Sequence, residues 1–327
     1  MRALFCFFLA GSFLLLAGCG NPKHVEVRIA LGSPGTQSIS MPTMLAQELG
    51  FYKEAGLNVT LIEFQGGAKA LESLMGGSAD VVSGFYDHTI QMAAEGKQLR
   101  AFVAMLNFPG WVLVSPGVTS VEGLRGKTVG VTSLGSSSHM ILNYLLARHG
   151  MKPEDVSTTS IGSSATAVGA VIHNKVDAAA MTEPAVAMVR KSMPGLHILA
   201  DTRTAAGVKS VFGTDSYLST VLYSKAEWVE KNRDTAEKLA GAITSTLAWM
   251  RTHSPEEIRE KMPAAFRTDA LQMDLGVVRT TQGLLSPDGK FTPAAVEAVH
   301  KVLSTSLESV RNAKIDLGKT YTNDLIR

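Results

Sequence analysis

The sequence predicts an α/β fold made of two similar lobes, and three observations lead to this prediction. Residues 61–83 read as strand, glycine turn, helix and strand, which is the repeating unit of an open α/β sheet. The same alternation restarts at Gly117. Asp80 and Asp177 also occupy matching places, each after a predicted helix and at the start of a predicted strand. Two lobes of one class therefore follow each other along the chain.

The turn of the first unit is the stretch around which we expect the protein to be organised. It consists of Gln65, Gly66 and Gly67, and apolar residues at helical spacing follow it. Gly76 and Gly77 end this helix. Such a turn leaves unpaired main-chain N–H groups at the carboxyl end of a sheet, where open α/β sheets bind ligands. A side chain at Gly67 is expected to crowd the ligand or to strain a backbone of positive φ.

The remaining elements divide the mature chain into three parts. In the first part of the first lobe, residues 27–116, we predict strands at 27–31, 58–64, 79–83, 101–105 and 112–115, and helices at 42–50, 68–75 and 89–95. In the second lobe, residues 117–214, we predict strands at 128–131, 157–161 and 176–181, a helix at 139–149 and another that begins near 163. A strand at 219–224 is expected to return the chain to the first lobe, and the rest of 215–327 is mostly helical.

Length and composition narrow the class of protein. The 327 residues suit two domains of ordinary size, and 45% hydrophobic residues are enough for a sizeable core. A net charge of +2 with 18% charged residues does not indicate a nucleic-acid partner.

The N-terminus is predicted to be a lipoprotein signal peptide, residues 1–18, followed by a tether at 19–26. An apolar run at 3–16 is shorter than the ~20 residues of a membrane-spanning helix. Residues 16–19, Leu-Ala-Gly-Cys, match the bacterial lipobox, which implies lipidation of Cys19; the alternative is an accidental cysteine in an ordinary signal peptide. Because Cys6 would leave with the signal, neither a disulfide nor a cysteine metal site is expected.

The sequence motifs of the common enzyme classes are incomplete or absent in this chain. Residues 126–128, Gly-Lys-Thr, resemble the end of a P-loop, but Val121 stands where the first glycine is required. No Gly-x-Gly-x-x-Gly follows a predicted strand, and the eight histidines include no pair at metal-ligand spacing on a helix. The adjacency of Ser138 and His139 has little weight, because the fold brings a nucleophile to its base. We therefore expect no metal, no cofactor and no catalytic group.

Several predicted strands end in residues suited to binding, and a common cleft would bring them together. These residues are Ser33; Gln65, Gly66 and Gly67; Phe85, Tyr86, Asp87 and His88; Trp111; Ser136, Ser137, Ser138 and His139; and Thr182 with Glu183. Helix starts and serine hydroxyls can hold an anion, whereas the two carboxylates suggest a cationic or donor-bearing group elsewhere on the ligand.

Some of these residues have two interpretations that the sequence leaves open. Asp87 either caps the helix that follows or accepts a hydrogen bond from the ligand. The serines at 136–138 either cap a helix or bind. Phe85, Tyr86, Phe108 and Trp111 either stack on a flat ligand or belong to the core.

Taken together, these motifs resemble the nitrate/sulfonate/taurine group of ABC-importer substrate-binding proteins, which includes a sulfonate (SsuA-like) branch and a thiamine-pyrimidine (NMT1/THI5-like) branch. The resemblance runs from about residue 27 to about residue 229. It is carried by the order and spacing of Phe64-Gln65-Gly66-Gly67, Asp80, Asp177, residues 126–131, Gly135-Ser136-Ser137-Ser138-His139 and Glu183-Pro184. It implies a type II periplasmic-binding-protein fold with the ligand in a cleft between the lobes.

The resemblance also implies ligand contacts near Ser33, at 65–67, at 85–87, at 136–139 and at Glu183. The chain departs from the group at two places. Thr182 stands where many members have Trp, and residues 85–88 differ from the usual sequence of sulfonate binders. These departures argue against a sulfonate as the ligand.

In function, the resemblance implies a monomeric receptor, lipid-anchored on the periplasmic side of the cell envelope. It would capture a small anionic or heterocyclic/aromatic solute (sulfonate-, taurine- or pyrimidine-like) and deliver it to an ABC permease and its ATPase. The alternative is an envelope enzyme of the THI5-like pyrimidine-precursor branch, which would need a general base such as His88 or His139 in the cleft. Export as a lipoprotein and the lack of a metal or nucleophile motif favour the receptor.

Overall fold

The computed structural model describes residues 24–33, 37–264 and 274–327. The expected signal peptide, Cys19 and most of the tether lie outside these residues. Val25 and Glu26, which we placed at the end of the tether, belong to the first strand.

The described chain forms two five-stranded sheets with helices on their faces, which confirms the predicted α/β class. The strands are β1 Val25–Leu31, β2 Leu57–Glu63, β3 Val81–Phe85, β4 Leu99–Ala104, β5 Val112–Ser115, β6 Thr128–Val131, β7 Ser157–Ser160, β8 Ala178–Met181, β9 His197–Asp201 and β10 Thr220–Lys225. The helices are α1 Met41–Glu48, α2 Phe51–Glu54, α3 Gly67–Met75, α4 Asp87–Ala94, α5 Ser137–Arg148, α6 Ala165–Ile172, α7 Ala185–Ser192, α8 Ala205–Phe212, α9 Ala226–Lys231, α10 Arg233–Thr252, α11 Pro255–Lys261, α12 Leu275–Leu284, α13 Pro293–Ser306 and α14 Glu308–Asn312.

The two sheets have the same plan. The first has the order β2-β1-β3-β10-β4 and the second the order β7-β6-β8-β5-β9. In each sheet four strands run in the same direction and one inserted strand, β10 or β5, runs antiparallel to both of its neighbours. The matching aspartates also make matching hydrogen bonds, since Asp80 Oδ2 accepts from Arg28 N and Asp177 Oδ2 accepts from Thr128 N, both at 2.8 Å. These bonds hold the start of β3 to β1 and the start of β8 to β6.

The inserted strands change one boundary that we predicted. Residues 112–115, assigned to the first lobe, form β5 and pair with β8 and β9 of the second sheet. The strand expected near 219–224 does return to the first sheet, where it lies between β3 and β4 as β10. Strand β9, a short strand at the edge of the second sheet, was not predicted from the sequence. The chain therefore crosses between the lobes twice within 105–219, once on each side of the second lobe.

The strand–turn–helix unit that we predicted within residues 61–83 is present in the structure. The interior strand β1 is buried on both faces at Ile29, Ala30 and Leu31, as expected for a parallel strand covered by helices. Helix α3 begins directly at Gly67, and Ala70, Leu71 and Leu74 form its buried face. Burial of this face holds the start of α3 at the carboxyl end of β2.

The C-terminal helices do not all belong to one lobe. Helix α10 packs on α1 beside the first sheet, whereas α13 packs both on α5 beside the second sheet and on α4 beside the first. None of the described helices is both long enough and apolar enough to cross a bilayer.

Candidate ligand-binding cavity

A cavity lies between the two sheets, at the carboxyl ends of their parallel strands. Ten side chains with hydroxyl groups line it: Ser33, Ser40, Ser83, Thr132, Ser136, Ser137, Ser138, Ser163, Thr182 and Thr220. The other lining residues are Gly32, Gly67, Gly84, Ile39, Phe85, Trp111, Ile141, Ala180 and Met181. The space open to the centre of a water-sized sphere is about 40 Å³, several times what one water needs. The cavity therefore has the size of a small solute.

The first sheet contributes a wall made largely of backbone. A Cβ at Gly32 would lie 3.3 Å from Ser83 O and 3.4 Å from the Cα atoms of Gly67 and Gly84. The three glycines thus bring the ends of β1 and β3 and the start of α3 into close contact. The positive φ that we expected at Gly67 is found at Gly66, whose φ is 148°. A side chain at Gly67 would instead meet the ring of His88, with a Cβ only 2.7 Å from Cε1.

The second sheet contributes a wall made of hydroxyl groups. Thr132 follows β6, and its Oγ1 lies 2.7 Å from Ser136 Oγ and 2.9 Å from Ser138 Oγ. Ser136 Oγ donates to Ser133 O at 2.7 Å, and Thr132 N donates to Ser138 Oγ at 3.0 Å. The serines therefore fix the loop before α5, and Ser136 is its N-cap residue without a side-chain cap bond.

Hydrogen bonds cross the cavity from one lobe to the other. Ser137 Oγ donates to Asp87 Oδ1 at 2.8 Å, Ser38 N donates to Glu183 O at 2.9 Å, and Thr182 Oγ1 donates to Gln37 Oε1. Gly66 also lies so close to the Ser133 side chain that a Cβ would overlap it. The lobes are therefore closed on each other around the cavity.

Asp87 is a buried carboxyl group beside this cavity, only 1% exposed. Its Oδ1 accepts from Ser137, but no described residue bonds to Oδ2. Burial raises the pKa of Asp87, against the opposing effects of His88 and Ser137. The N-cap of α4 is Tyr86, and Asp87 is the first helical residue, so the structure does not support the capping interpretation.

His88 lies behind the first wall. It is fully buried, its Nδ1 is 3.3 Å from Tyr223 Oη, and its Nε2 has no partner among the described residues. Burial lowers the pKa of His88, which keeps the ring neutral. His139 faces its own loop, where its Nδ1 accepts from Gly135 N at 3.1 Å.

Of the fifteen ligand-binding residues predicted, eight line the cavity. They are Ser33, Gly67, Phe85, Trp111, Ser136, Ser137, Ser138 and Thr182. The other seven do not: Gln65, Gly66, Tyr86, Asp87, His88, His139 and Glu183. Asp87 still reaches the cavity through Ser137, and Gly66 shapes the contact between the lobes.

Two of the seven residues that do not line the cavity make their contacts elsewhere in the structure. The ring of Tyr86 packs on Phe291, and its hydroxyl bonds to Thr320. Glu183 Oε1 pairs with Arg203 at 2.6 Å and its Oε2 accepts from Ala187 N at 3.0 Å. Tyr86 is therefore a core residue, and Glu183 is already neutralised within its own lobe.

Several hydroxyl groups that line the cavity were not predicted from the sequence. Ser40, Ser83, Ser163 and Thr220 are among them. A signal existed for Ser163, because the turn after β7 occupies the place in the second lobe that the turn at 65–67 occupies in the first. No group of three or more histidines, cysteines or acidic residues suited to a metal ion occurs in the described part of the chain.

Solved structures with this architecture define the class of protein. A protein of Bordetella bronchiseptica RB50 has a TM-score of 0.86 at 33% identity, covering 93% of this chain and 96% of that one. The alkanesulfonate-binding protein SsuA of Xanthomonas axonopodis pv. citri, bound to MOPS, has a TM-score of 0.69 at 17% identity, covering 91% and 98%. The fold is that of the periplasmic binding proteins that act as ligand-binding components of ABC importers.

Within this class, the chain belongs to the NMT1/THI5-like family, whose model matches residues 37–258, more than half of the chain. A protein of Brucella abortus (strain 2308) that is named as a binding protein is 27% identical over 216 residues, which cover 66% of this chain. The match spans 64% of that relative's length.

Proposed function

We propose that the protein is the solute receptor of an ABC importer, which captures a small molecule between its lobes and delivers it to a permease. The observation that carries this proposal is the cavity itself. It lies at the carboxyl ends of both sheets, it is closed by hydrogen bonds between the lobes, and its walls come from both halves of the molecule.

The mechanism follows from the two walls. A ligand that contacts both walls binds the closed form better than the open form, so that binding shifts the population towards closure. Closure brings together surfaces of the two lobes that are apart in the open form, and a permease can recognise that arrangement. Phe85 and Trp111 on the walls support a ligand with a flat apolar part.

The alternative enzyme of the pyrimidine-precursor branch gains little support from the geometry. His88 and His139, its candidate bases, do not line the cavity. His88 is buried behind Gly67, and His139 is bonded to the loop at Gly135. A general base must reach the proton it removes, directly or through one water. The receptor therefore remains the better proposal.

We further propose that the receptor is a monomer held to the periplasmic side of the membrane by a lipid on Cys19. The lipobox at residues 16–19 supports this part of the proposal. Cys19→Ala should release the protein from the membrane fraction or leave the signal uncleaved. Normal processing and unchanged membrane attachment would rule the anchor out.

The receptor proposal is tested by the solute that the protein retains. Native mass spectrometry of the purified protein should show a bound small molecule that is released unchanged on unfolding. Adding this solute back to emptied protein should shrink the particle in small-angle scattering and raise its melting temperature by linkage. A solute that is chemically converted, or a scattering profile that does not change at saturation, would contradict the receptor.

A further inference from the structure

The hydroxyl groups of the second wall have acceptors within the protein for the hydrogen bonds that they donate. Ser136 donates to Ser133 O, and Thr132 and Ser138 each have an acceptor within 3.1 Å in the same cluster. Ser137 donates to Asp87 Oδ1, which keeps an acceptor site for Ser137 whether or not its other oxygen is protonated. A hydroxyl has one proton and two acceptor sites. Because Ser133 N donates to Ser136 Oγ and Thr132 N donates to Ser138 Oγ, the lone pairs that remain for the cavity belong mainly to Thr132 and Ser137.

The first wall repeats this pattern. Ser40 Oγ donates to Ser33 O at 3.2 Å, which leaves Ser33 Oγ to donate to Ser40 Oγ at 3.0 Å. Ser83 Oγ lies 2.8 Å from Thr43 Oγ1, and either hydroxyl can donate to the other, so that Ser83 also has an acceptor within the protein.

Thr182 Oγ1 also donates its hydrogen bond to a protein acceptor, Gln37 Oε1. Eight of the ten lining hydroxyls thus have an internal acceptor for their proton, and only Ser163 and Thr220 have no partner among the described residues.

The cavity also lacks a positive charge. No lysine or arginine is among the described residues that line it. Arg203 lies behind the second wall, but it pairs with Glu183 and with Asp201, each at 2.6 Å. The donors left for a ligand are the Trp111 indole, the two free hydroxyls and main-chain N–H groups at the starts of α3 and α5. A carbonyl oxygen can use these donors as well as an anion can.

We propose that the cavity selects an uncharged or cationic solute that donates several hydrogen bonds and carries a flat apolar part, and that it discriminates against anions. The N–H and O–H groups of the solute donate hydrogen bonds to hydroxyl oxygens whose own protons already have acceptors within the protein. Of these acceptors, Ser137 in its pair with Asp87 is the most polarised. An anion without N–H or O–H groups, such as a simple carboxylate, can only accept hydrogen bonds, so it would leave these acceptors without a partner. This inference rests on the receptor proposed above and names its class of solute.

Three compounds of one shape test the proposal: benzamidine, which is a cation, benzamide, which is neutral, and benzoate, which is an anion. Each is titrated into the purified protein after its retained solute has been removed by unfolding and refolding. We expect benzamidine or benzamide to bind at least about tenfold more tightly than benzoate, because both have N–H donors for the acceptors of the cavity and benzoate has none. Benzoate binding as tightly as the other two would overturn the proposal, as would no binding by any of them.

A matched pair of substitutions gives a second measurement. Ser137 donates to Asp87 and can offer a ligand only its lone pairs, whereas Ser163 has no partner among the described residues and can donate as well as accept. Ser137→Ala should therefore weaken benzamidine about three- to tenfold more than it weakens benzoate, and Ser163→Ala should weaken benzoate at least as much as benzamidine. Melting temperatures show that both variants fold. Equal effects of Ser137→Ala on benzamidine and on benzoate would contradict the assignment of donors and acceptors.

The outcomes separate this inference from the receptor function. If a retained anionic solute is found and closes the lobes, the receptor stands and the solute class proposed here is wrong. If no solute is retained and none closes the lobes, the receptor itself fails.

Discussion

The two walls of the cavity occupy equivalent places in two similar lobes, yet they are made of different chemistry. The wall of the first lobe owes its shape to missing side chains at Gly32, Gly67 and Gly84. The wall of the second lobe owes its shape to hydrogen bonds among hydroxyls between Thr132 and Ser138. A substitution in the first wall should therefore change which surfaces can approach each other, and one in the second wall should change polarity while the shape persists.

Gly66 tests this comparison with the largest expected effect, because it lies where the first lobe touches the second. Its φ of 148° is costly for other residues, and a Cβ would overlap the side chain of Ser133. Because of this overlap we expect Gly66→Ala to prevent full closure and to weaken solute binding by about tenfold or more. The backbone strain of ~1–3 kcal/mol should in addition lower the melting temperature. Small-angle scattering with the retained solute measures closure.

Gly67→Ala is the matched control for this change. Its Cβ would meet His88 within the same lobe, and its φ is not in the left-handed region. We expect it to lower the melting temperature while the lobes still close. The double variant Gly66→Ala/Ser133→Gly removes the overlap but not the backbone strain, so closure should return at a lowered melting temperature. Closure in Gly66→Ala alone would show that the two lobes do not meet there.

Asp87 gives the next effect, which depends on pH. Its pKa in the folded protein is raised, so above the unfolded value near 3.8 the native state holds a proton that the unfolded state has lost. Wild-type stability should therefore fall as pH rises from about 4 through the folded pKa, relative to a variant that does not titrate. Asp87→Asn should melt at a higher temperature than the wild type at pH 7 and show no advantage at pH 4. Melting temperatures across pH 4–8 measure this.

His88 is present in both proteins, so its own titration largely cancels in the comparison. A difference between Asp87→Asn and the wild type that stays constant over the whole pH range would mean that the carboxyl group is not held out of its ordinary range.

The smallest expected effect concerns Thr182, which bonds to Gln37 across the cavity. Thr182→Val keeps the shape and removes one hydrogen bond of ~0.5–1.5 kcal/mol, so solute should leave about two- to tenfold faster with little change in melting temperature. Thr305→Val is the control, since the exposed side chain of Thr305 donates to Lys301 O within α13, away from the cavity. Stopped-flow release rates distinguish them. Identical rates in both variants would mean that the bond does not contribute to closure.

The sequence predicted those parts of the site that have a local signal. The turn at 65–67 and the serines at 136–138 each follow a strand and precede a helix, and the fold places both beside the cavity. Ser83 and Thr220 were missed because their orientation depends on how β3 and β10 pair, which local patterns do not show. Tyr86 was wrong for a related reason. Strand β3 ends at Phe85, which lines the cavity, whereas Tyr86 is already the N-cap of α4 and its ring enters the core.

Those parts of the fold that have a local signal in the sequence were predicted as well. The two-lobe plan was visible in the repeated order of strands and helices, and the return of the chain near 219–224 was also expected. The placement of 112–115 was not, because an antiparallel strand inserted into the other lobe's sheet has the same composition as one at the edge of its own. Long-range pairing decides between them.

The inserted strand β10 also determines the order in which the molecule can be completed. Because β10 lies between β3 and β4, a ribosome that has made the first 219 residues has not yet supplied a central strand of the first sheet. The second sheet needs nothing beyond Asp201, so it is the first that can be finished, although the first lobe begins earlier in the chain. Pairing of distant segments is slow, because the loop between them must close before the contact forms. A nascent chain shorter than 225 residues therefore has β4 without its native neighbour.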